Sequence, residues 1–295
     1  MSRKIALFLA TWVSLIYGLT FTIAKDVMPV YIDAFGFILL RVLGATVLFW
    51  LVGLKIGNEK IEPTDFKLII LCSVFGVALN MLTFFEGLKH TSPINGAVIM
   101  VTTPLIVLVF STLLLREKVT FAKVLGLILG LTGTILLIAY GKKSEAGTNE
   151  GWGNFLVFVN AVSYSFYLIL VKKLMDKYNA FSFVKWIYLF GLLWVLPFGY
   201  SDVVSVNWQL IPFAIWLKIG FVVVFSTFVT YMLNLVTMRR LSPTLVAVFI
   251  YLQPVFASIY ALSLGKDTLN FVKIVAALLI FIGVYLVTVY KKNTT

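Results

Sequence analysis

Ten times between residues 5 and 290 the chain runs for roughly the thickness of a bilayer with almost no charge: 5–24, 36–56, 67–88, 94–115, 122–140, 153–174, 183–200, 213–235, 244–264 and 270–290. A helix needs about 20 predominantly apolar residues to cross the hydrocarbon core, and each stretch is close to that length. The span at 183–200 is the shortest reading and ends at Pro197. No small-residue cleavage site follows the first stretch, which therefore reads as an uncleaved first helix rather than a signal peptide. Charged residues are 12% of the chain and hydrophobic ones 61%, with a mean hydropathy of +1.03. A soluble domain carries about 25% charged residues, so the chain reads as an all-α membrane protein of ten transmembrane helices.

The second half repeats the first. Ser92-Pro93 recurs as Ser242-Pro243, Pro104 as Pro254, Glu117 as Asp267, Lys123 as Lys273 and Gly133 as Gly283. Between residues 92 and 138 and their counterparts 150 positions on, 11 of 47 residues are identical, and the identities include Pro, Gly and Lys, which an apolar background does not supply by chance. The match continues more weakly with Gly76–Gly87 opposite Ser226–Thr237, and an offset of 147 sets Tyr17 opposite Tyr164 and Lys25 opposite Lys172. The expected division is a first repeat over 1–141, a polar linker over 142–151 and a second repeat over 152–291. Five spans per copy is an odd number. The second copy must then enter the membrane from the opposite face, and the two five-helix repeats are inverted about an axis in the membrane plane. Inverted repeats provide the two-sided geometry that alternating access needs, which points to a transporter.

Orientation follows from the basic residues. With the N-terminus in the cytoplasm, sixteen Lys and Arg fall inside, among them Arg3, Lys4, Arg116, Lys118, Lys172, Lys173, Arg239 and Arg240, and seven fall outside. The excess predicts that both termini are cytoplasmic. The net charge of +12 arises from these twos and threes at span ends, so it reads as a topology signal and not as a nucleic-acid-binding face.

Pro104 and Pro254 lie near the middle of the fourth and ninth spans. Each removes a helical N–H, leaving the carbonyls of Met100 and Ile250 to find another donor where lipid offers none. The paired positions predict hinges beside a central cavity. Ser92 and Ser242 with the prolines that follow read as helix starts. Few polar side chains fall near the membrane centre: Asn80, Thr102, Thr103, Asn160, Asn234 and Gln253. Each is expected to face the bundle interior, in the company of Trp12, Tyr17, Tyr164, Tyr231 and Tyr251. From these we select Tyr17, Asn80, Asn160, Tyr164, Tyr231 and Gln253 as candidate solute contacts; aromatic walls with a few amides suit a neutral or zwitterionic, partly apolar organic molecule. Arg41 and Glu86 fall at similar depth near the outer face, which predicts a structural ion pair. Glu117 and Asp267, each preceded by a basic residue, read as helix-end turns with local ion pairs.

The chain has no HExxH, no P-loop glycine motif and no Cys/His cluster, and its one histidine is His90. No metal, cofactor or enzymatic acid/base pair is therefore expected. The single cysteine, Cys72, reads as a small buried hydrophobe. Gly126-x-x-x-Gly130 is a close-packing signature.

Trp12…Tyr17-Gly18 with Lys25, Leu40-Arg41, Pro104 followed by Arg116-Glu117, and Gly126…Gly133 resemble one EamA domain. Tyr164, Pro254, Lys266-Asp267 and Gly283 resemble a second. The chain departs from the usual Gly-Glu ending, with Leu115 in the first copy and Gly265-Lys266-Asp267 in the second. The whole resembles an EamA-type permease of the drug/metabolite transporter superfamily. That resemblance implies a carrier of the bacterial inner (plasma) membrane, often an exporter of amino acids or related metabolites, with a cavity lined mainly by helices one, three, four, six, eight and nine. The expected function is export of a small organic solute by alternating access. Import, a facilitative route for sugar or nucleotide-type metabolites, and a channel-like protein stay open, as does a monomer or homodimer.

Overall fold

A computed structural model of the chain describes residues 1–54, 56, 59–91, 96, 99–139, 149–263 and 270–289. Among these every regular element is helical. The membrane helices are α1 (Arg3–Lys25), α2 (Ala34–Gly53), α3 (Phe66–Ser73 continued through Val74–Ala78 into Leu79–His90), α4 (Thr103–Leu115) and α5 (Phe121–Ala139). The second set is α6 (Glu150–Lys177), α7 (Ala180–Ser205), α8 (Phe213–Phe221 through Val222–Val229 into Thr230–Met238), α9 (Pro243–Val248, Phe249–Tyr251, Leu252–Ser263) and α10 (Phe271–Val289). Nine of these are long and apolar enough to cross a membrane, and α4 is a shorter apolar helix. The fold is thus ten transmembrane helices in two inverted five-helix repeats.

Helix starts follow local chemistry. Ser2, Asn149, Asn179 and Ser242 each accept a backbone N–H of the first turn from the N-cap position of α1, α6, α7 and α9. Pro243 follows Ser242 at the first helical position, where its missing N–H costs nothing. The C-terminus of α4 is unusual. Arg116 takes φ 54°, and the Glu117 N–H turns back to the Ser111 carbonyl at 3.0 Å. This six-residue closure needs a left-handed residue, a conformation that favours glycine, and here an arginine supplies it.

The seventh span does not stop at Pro197: α7 runs through it to Ser205. Pro197 forfeits one helical bond, and the backbone beyond it is held by packing, since Gly199 lies directly against the Phe35 carbonyl and Leu39 of α2. Ser92-Pro93, Lys266-Asp267 and residues 142–148 of the expected 142–151 linker lie outside the described residues.

The packing repeats the symmetry read from the chain. Helix α1 packs on α8 and α9 while α6 packs on α3 and α4; α2 lies along α7, α5 along α10, and α4 meets α9. Exchanging the two copies maps this set of neighbours onto itself. Small residues mark the closest approach. A Cβ on Gly126 would lie 2.6 Å from the Gly283 carbonyl, and one on Gly133 would lie 2.6 Å from that of Ala276. Those two contacts are copies of one another, since 126 and 133 correspond to 276 and 283. The Arg3 guanidinium donates to the Thr288 carbonyl, so the start of α1 and the end of α10 share one membrane face, called here the terminal face. Outward surfaces are apolar, with Phe121 of α5 and its counterpart Phe271 of α10 82% and 78% exposed, as a lipid-facing belt requires.

Candidate functional site

Two helices of the bundle loosen at matching places. In α3 the residues Val74–Ala78 form a π-helical turn, and in α8 Val222–Val229 do the same. With the 150-residue offset, Val74–Ala78 falls within the second turn. A π-turn widens the helix and leaves carbonyls without their usual partners, and such turns concentrate at functional sites. Here side chains from other helices take those carbonyls. Ser163 of α6 donates to the Phe75 carbonyl at 2.7 Å and Tyr231 of α8 to that of Gly76 at 2.9 Å. A glycine from the other copy presses on each turn, Gly191 against Val77 and Gly44 against Val223.

The prolines mark a second matched pair of breaks. Before Pro104 the fourth span turns at Val101-Thr102, and before Pro254 the ninth narrows to a 3₁₀ turn at Phe249–Tyr251. The Met100 carbonyl freed by Pro104 is not open to a solute, because the Thr103 hydroxyl donates to it at 2.6 Å; Thr102 does the same for Ile99 at 2.7 Å. In the second copy Ser14 of α1 reaches across to the Phe249 carbonyl at 2.8 Å. Gly18, one turn on, lets the α1 backbone lie against the Gln253 carbonyl, which a Cβ would approach to 2.8 Å.

Beside the α9 break lies a crevice lined by Ala10, Val13, Ser14 and Tyr17 of α1, Tyr164 of α6, Asn234 of α8, and Val246, Phe249, Ile250 and Gln253 of α9. It is contracted to about 10 Å³, room for one water molecule at most. The expected wall included α3 and α4 as well; the crevice is built from α1, α6, α8 and α9. A larger pocket of about 270 Å³ opens on the face opposite the terminal one, between Tyr31, Asp33, Asp202 and Asn207. It is formed by loop and helix-end residues away from the intramembrane polar groups, and we do not take it for the central site.

Of the candidate contacts, Tyr17, Tyr164 and Gln253 line the crevice together. Tyr231 stands behind them: its ring lies 6.3 Å from that of Tyr167, which is 6.1 Å from Tyr164, and its hydroxyl is spent on Gly76. Asn80 and Asn160 do not line the crevice. The Asn160 amide donates to the backbone carbonyl of Asn80, joining α6 to α3. The other amide atom, Asn160 Oδ1, is buried without a partner.

The expected Arg41–Glu86 ion pair does not form. Glu86 pairs with His90 one turn on at 3.0 Å. Arg41 instead gives its Nε–H to Thr227 Oγ1 at 3.2 Å and lies over the Phe85 ring at 5.7 Å. Neighbouring residues on a helix point about 100° apart, so turning Phe85 toward Arg41 swings Glu86 off to the rim. Glu117 also exceeds its expected role. Besides Lys123 at 2.7 Å, its carboxylate accepts Ser242 Oγ and Thr244 Oγ1 at 2.8 Å each, tying the end of α4 to the start of α9 across the repeats. A second clamp on the terminal side joins the same two halves. Lys177 bridges Glu62 and Asp65 at 2.8 and 2.7 Å, and Tyr178 donates to Asp65 at 2.6 Å.

The sequence of each half bears on which proteins share this arrangement. The model of the EamA-like transporter family matches residues 4–139 and again 151–289. The chain belongs to the EamA-like transporter family. Among similar curated proteins, the Bacillus subtilis transporter YyaM is 25% identical over 92% of this chain and 89% of its own length. An S-adenosylmethionine/S-adenosylhomocysteine transporter of Chlamydia muridarum is 28% identical over 90% and 86%. One crystal structure superposes with a TM-score of 0.79 at 18% identity, covering 97% of this chain and 96% of that one, a likeness of fold. In this EamA-type transporter the residues that sequence reasoning missed are Ser14, Ser163, Thr227 and Tyr188. They are small hydroxyls and an aromatic on largely apolar helices, where residue type and spacing give no signal of a partner.

Proposed function

We propose that this EamA-type membrane transporter is a secondary carrier that moves a small organic solute, of amino-acid or related metabolite type, outward by alternating access. The observation that carries the reading is the pairing of breaks. A π-turn in α3 matches one in α8, and a proline break in the fourth span matches one in the ninth, whose Phe249 and Ile250 line the crevice with Tyr17, Tyr164 and Gln253. Breaks at matched positions let each repeat take the shape the other has just left, with Pro104 and Pro254 as hinges. The two five-helix repeats, 1–141 and 152–291, are joined by the 142–151 linker. Tyr17, Tyr164 and Gln253 meet the solute directly, with Ser14 and Asn234 beside them. Tyr231, Asn80 and Asn160 brace the α3 turn from behind. The excess of basic residues on the terminal face supports a cytoplasmic orientation for that face, in a plasma-membrane protein.

The contracted crevice favours a carrier over a channel, because a channel needs a continuous pore. A relative named for an organic metabolite favours a cargo of that general kind. The test is flux across proteoliposomes with and without an imposed proton gradient, over a broad metabolite panel. A carrier shows saturable exchange or gradient-driven flux that stops when either face is cross-linked. Flux that never saturates, or none across the panel, overturns the proposal.

A further inference from the structure

Arg41 is 7% exposed, lies within a membrane helix, and among the described residues has no carboxylate against it. Its Nε–H goes to Thr227 in the α8 π-turn, and among the described residues the N–H groups on its two terminal nitrogens have no acceptor. Thr227 is held in turn by donating to the Val222 carbonyl at 2.7 Å, so the anchor of the guanidinium is itself fixed. The Phe85 ring covers one side. The hydroxyls of Tyr231, Tyr188 and Tyr17 lie within electrostatic reach of the guanidinium. Tyr188 Oη is buried beside Tyr231 without a well-formed hydrogen bond. Tyr17 belongs to both neighbourhoods, since it also lines the central crevice.

A buried cation without a counterion is expensive, and proteins keep one inside a membrane where an anion meets it. Glu86, the carboxylate expected to meet Arg41, is paired with His90, and α1 carries no acidic residue. A planar fork of unused N–H groups, framed by tyrosine hydroxyls, has the donor geometry for two oxygens of one oxyanion. We propose that Arg41 is the anion-recognition subsite of the transport site, taking an oxyanion of the solute, carboxylate or phosphate, while Tyr17, Tyr164 and Gln253 hold its less charged remainder. Thr227 acts as a positioning residue that aims the guanidinium. The inference rests on the carrier reading above and names the class of cargo it moves.

The test uses the full chain in lipid nanodiscs. Phenylglyoxal, which modifies accessible guanidinium groups, is applied alone and in the presence of leucine, N-acetylleucine, leucine methyl ester or inorganic phosphate, and modification at Arg41 is read by peptide mass. The expected result is reaction at Arg41 that the free carboxylates slow and the ester does not. Protection by phosphate with none by the carboxylates assigns the oxyanion to phosphate. In parallel, thermal stabilisation by the same compounds is compared for wild type, Arg41→Lys and Arg41→Gln. Loss of a charged hydrogen-bonded contact weakens oxyanion binding roughly 10- to 100-fold in Arg41→Gln, with partial retention in Arg41→Lys. An Arg41 that does not react, that reacts equally with and without every oxyanion, or an Arg41→Gln protein that binds oxyanions as wild type does, overturns the subsite. Flux separates the two readings. Oxyanion protection of Arg41 with no flux of any solute sinks the carrier and leaves the subsite. Saturable flux of neutral solutes, unchanged in Arg41→Gln, leaves the carrier and sinks the subsite.

Discussion

Replacing Gly283 by alanine puts one of the closest helix crossings among the described residues under direct test. A Cβ at this position would sit 2.5 Å from the Gly126 carbonyl, 2.6 Å from the Gly130 nitrogen and 3.0 Å from the Gly130 Cα. All three are backbone atoms, so no side chain can rotate away. Reaching an ordinary separation of about 3.4 Å requires α5 and α10 to part by roughly 1 Å at the crossing, and a gap of that size forfeits a quarter to a half of each dispersion contact it opens. In water, part of such a loss is offset by hydrophobic pressure. In lipid the tails are as apolar as the helix surface, and association rests on close packing itself. The overpacking range of 1–3 kcal/mol then applies, with about 2 kcal/mol as the central expectation. That is roughly a 30-fold shift in the folding equilibrium. The assay is reversible unfolding of the purified protein in mixed micelles. The internal control is Gly220→Ala, where nothing lies within 4 Å of the new methyl group and helix propensity favours alanine. A Gly283→Ala protein as stable as Gly220→Ala would refute the claim that backbone contact at this crossing holds the two repeats together.

Three further outcomes follow from single contacts. Thr103→Ala strands the Met100 carbonyl beside Pro104 and is expected to cost about 1–3 kcal/mol, which Thr103→Ser restores; equal melting of the two variants shows that water or another group replaces the hydroxyl. A double-mutant cycle on Arg41 and Glu86 is expected to give a coupling energy within about 0.5 kcal/mol of zero, because the two carry separate partners; charge reversal at both positions that rescues either single reversal contradicts this geometry. Glu117→Ala removes the shared acceptor of Lys123, Ser242 and Thr244 and is expected to destabilise by about 2 kcal/mol. In a Cys72→Ala background the same change should speed thiol labelling of a cysteine placed at Val246, in the crevice, from the terminal face. Unchanged labelling argues that this contact is not what closes that side.

Much of the architecture could be read from residue types alone. A bilayer selects on the average hydrophobicity of about 20 consecutive residues, a local property, so the positions of the spans emerged to within a few residues even where Pro197 suggested a stop. Duplication exposed the inversion, and the paired Pro104 and Pro254 marked where the helices break, because a missing N–H acts on its own helix whatever surrounds it. The close-packing glycines were visible for the same reason: Gly126 and Gly283 are small in any context.

What the chain alone did not reveal is which groups meet. Phe85 and Glu86 are adjacent in sequence and about 100° apart around the helix, so helix rotation decides which of them faces Arg41, and that rotation is fixed by every neighbour at once. Asn80 looked like a solute contact by its side chain, but the structure uses its backbone carbonyl as the acceptor for Asn160. The π-turn of α3 has no composition signature, since it forms where Tyr231 and Ser163 supply donors to carbonyls that a regular helix would have kept. Lipid dictates which segments cross the membrane; only the crossing of the helices decides which polar atoms face one another there, because hydrogen bonds require partners within about 3 Å and sequence distance carries no such measure.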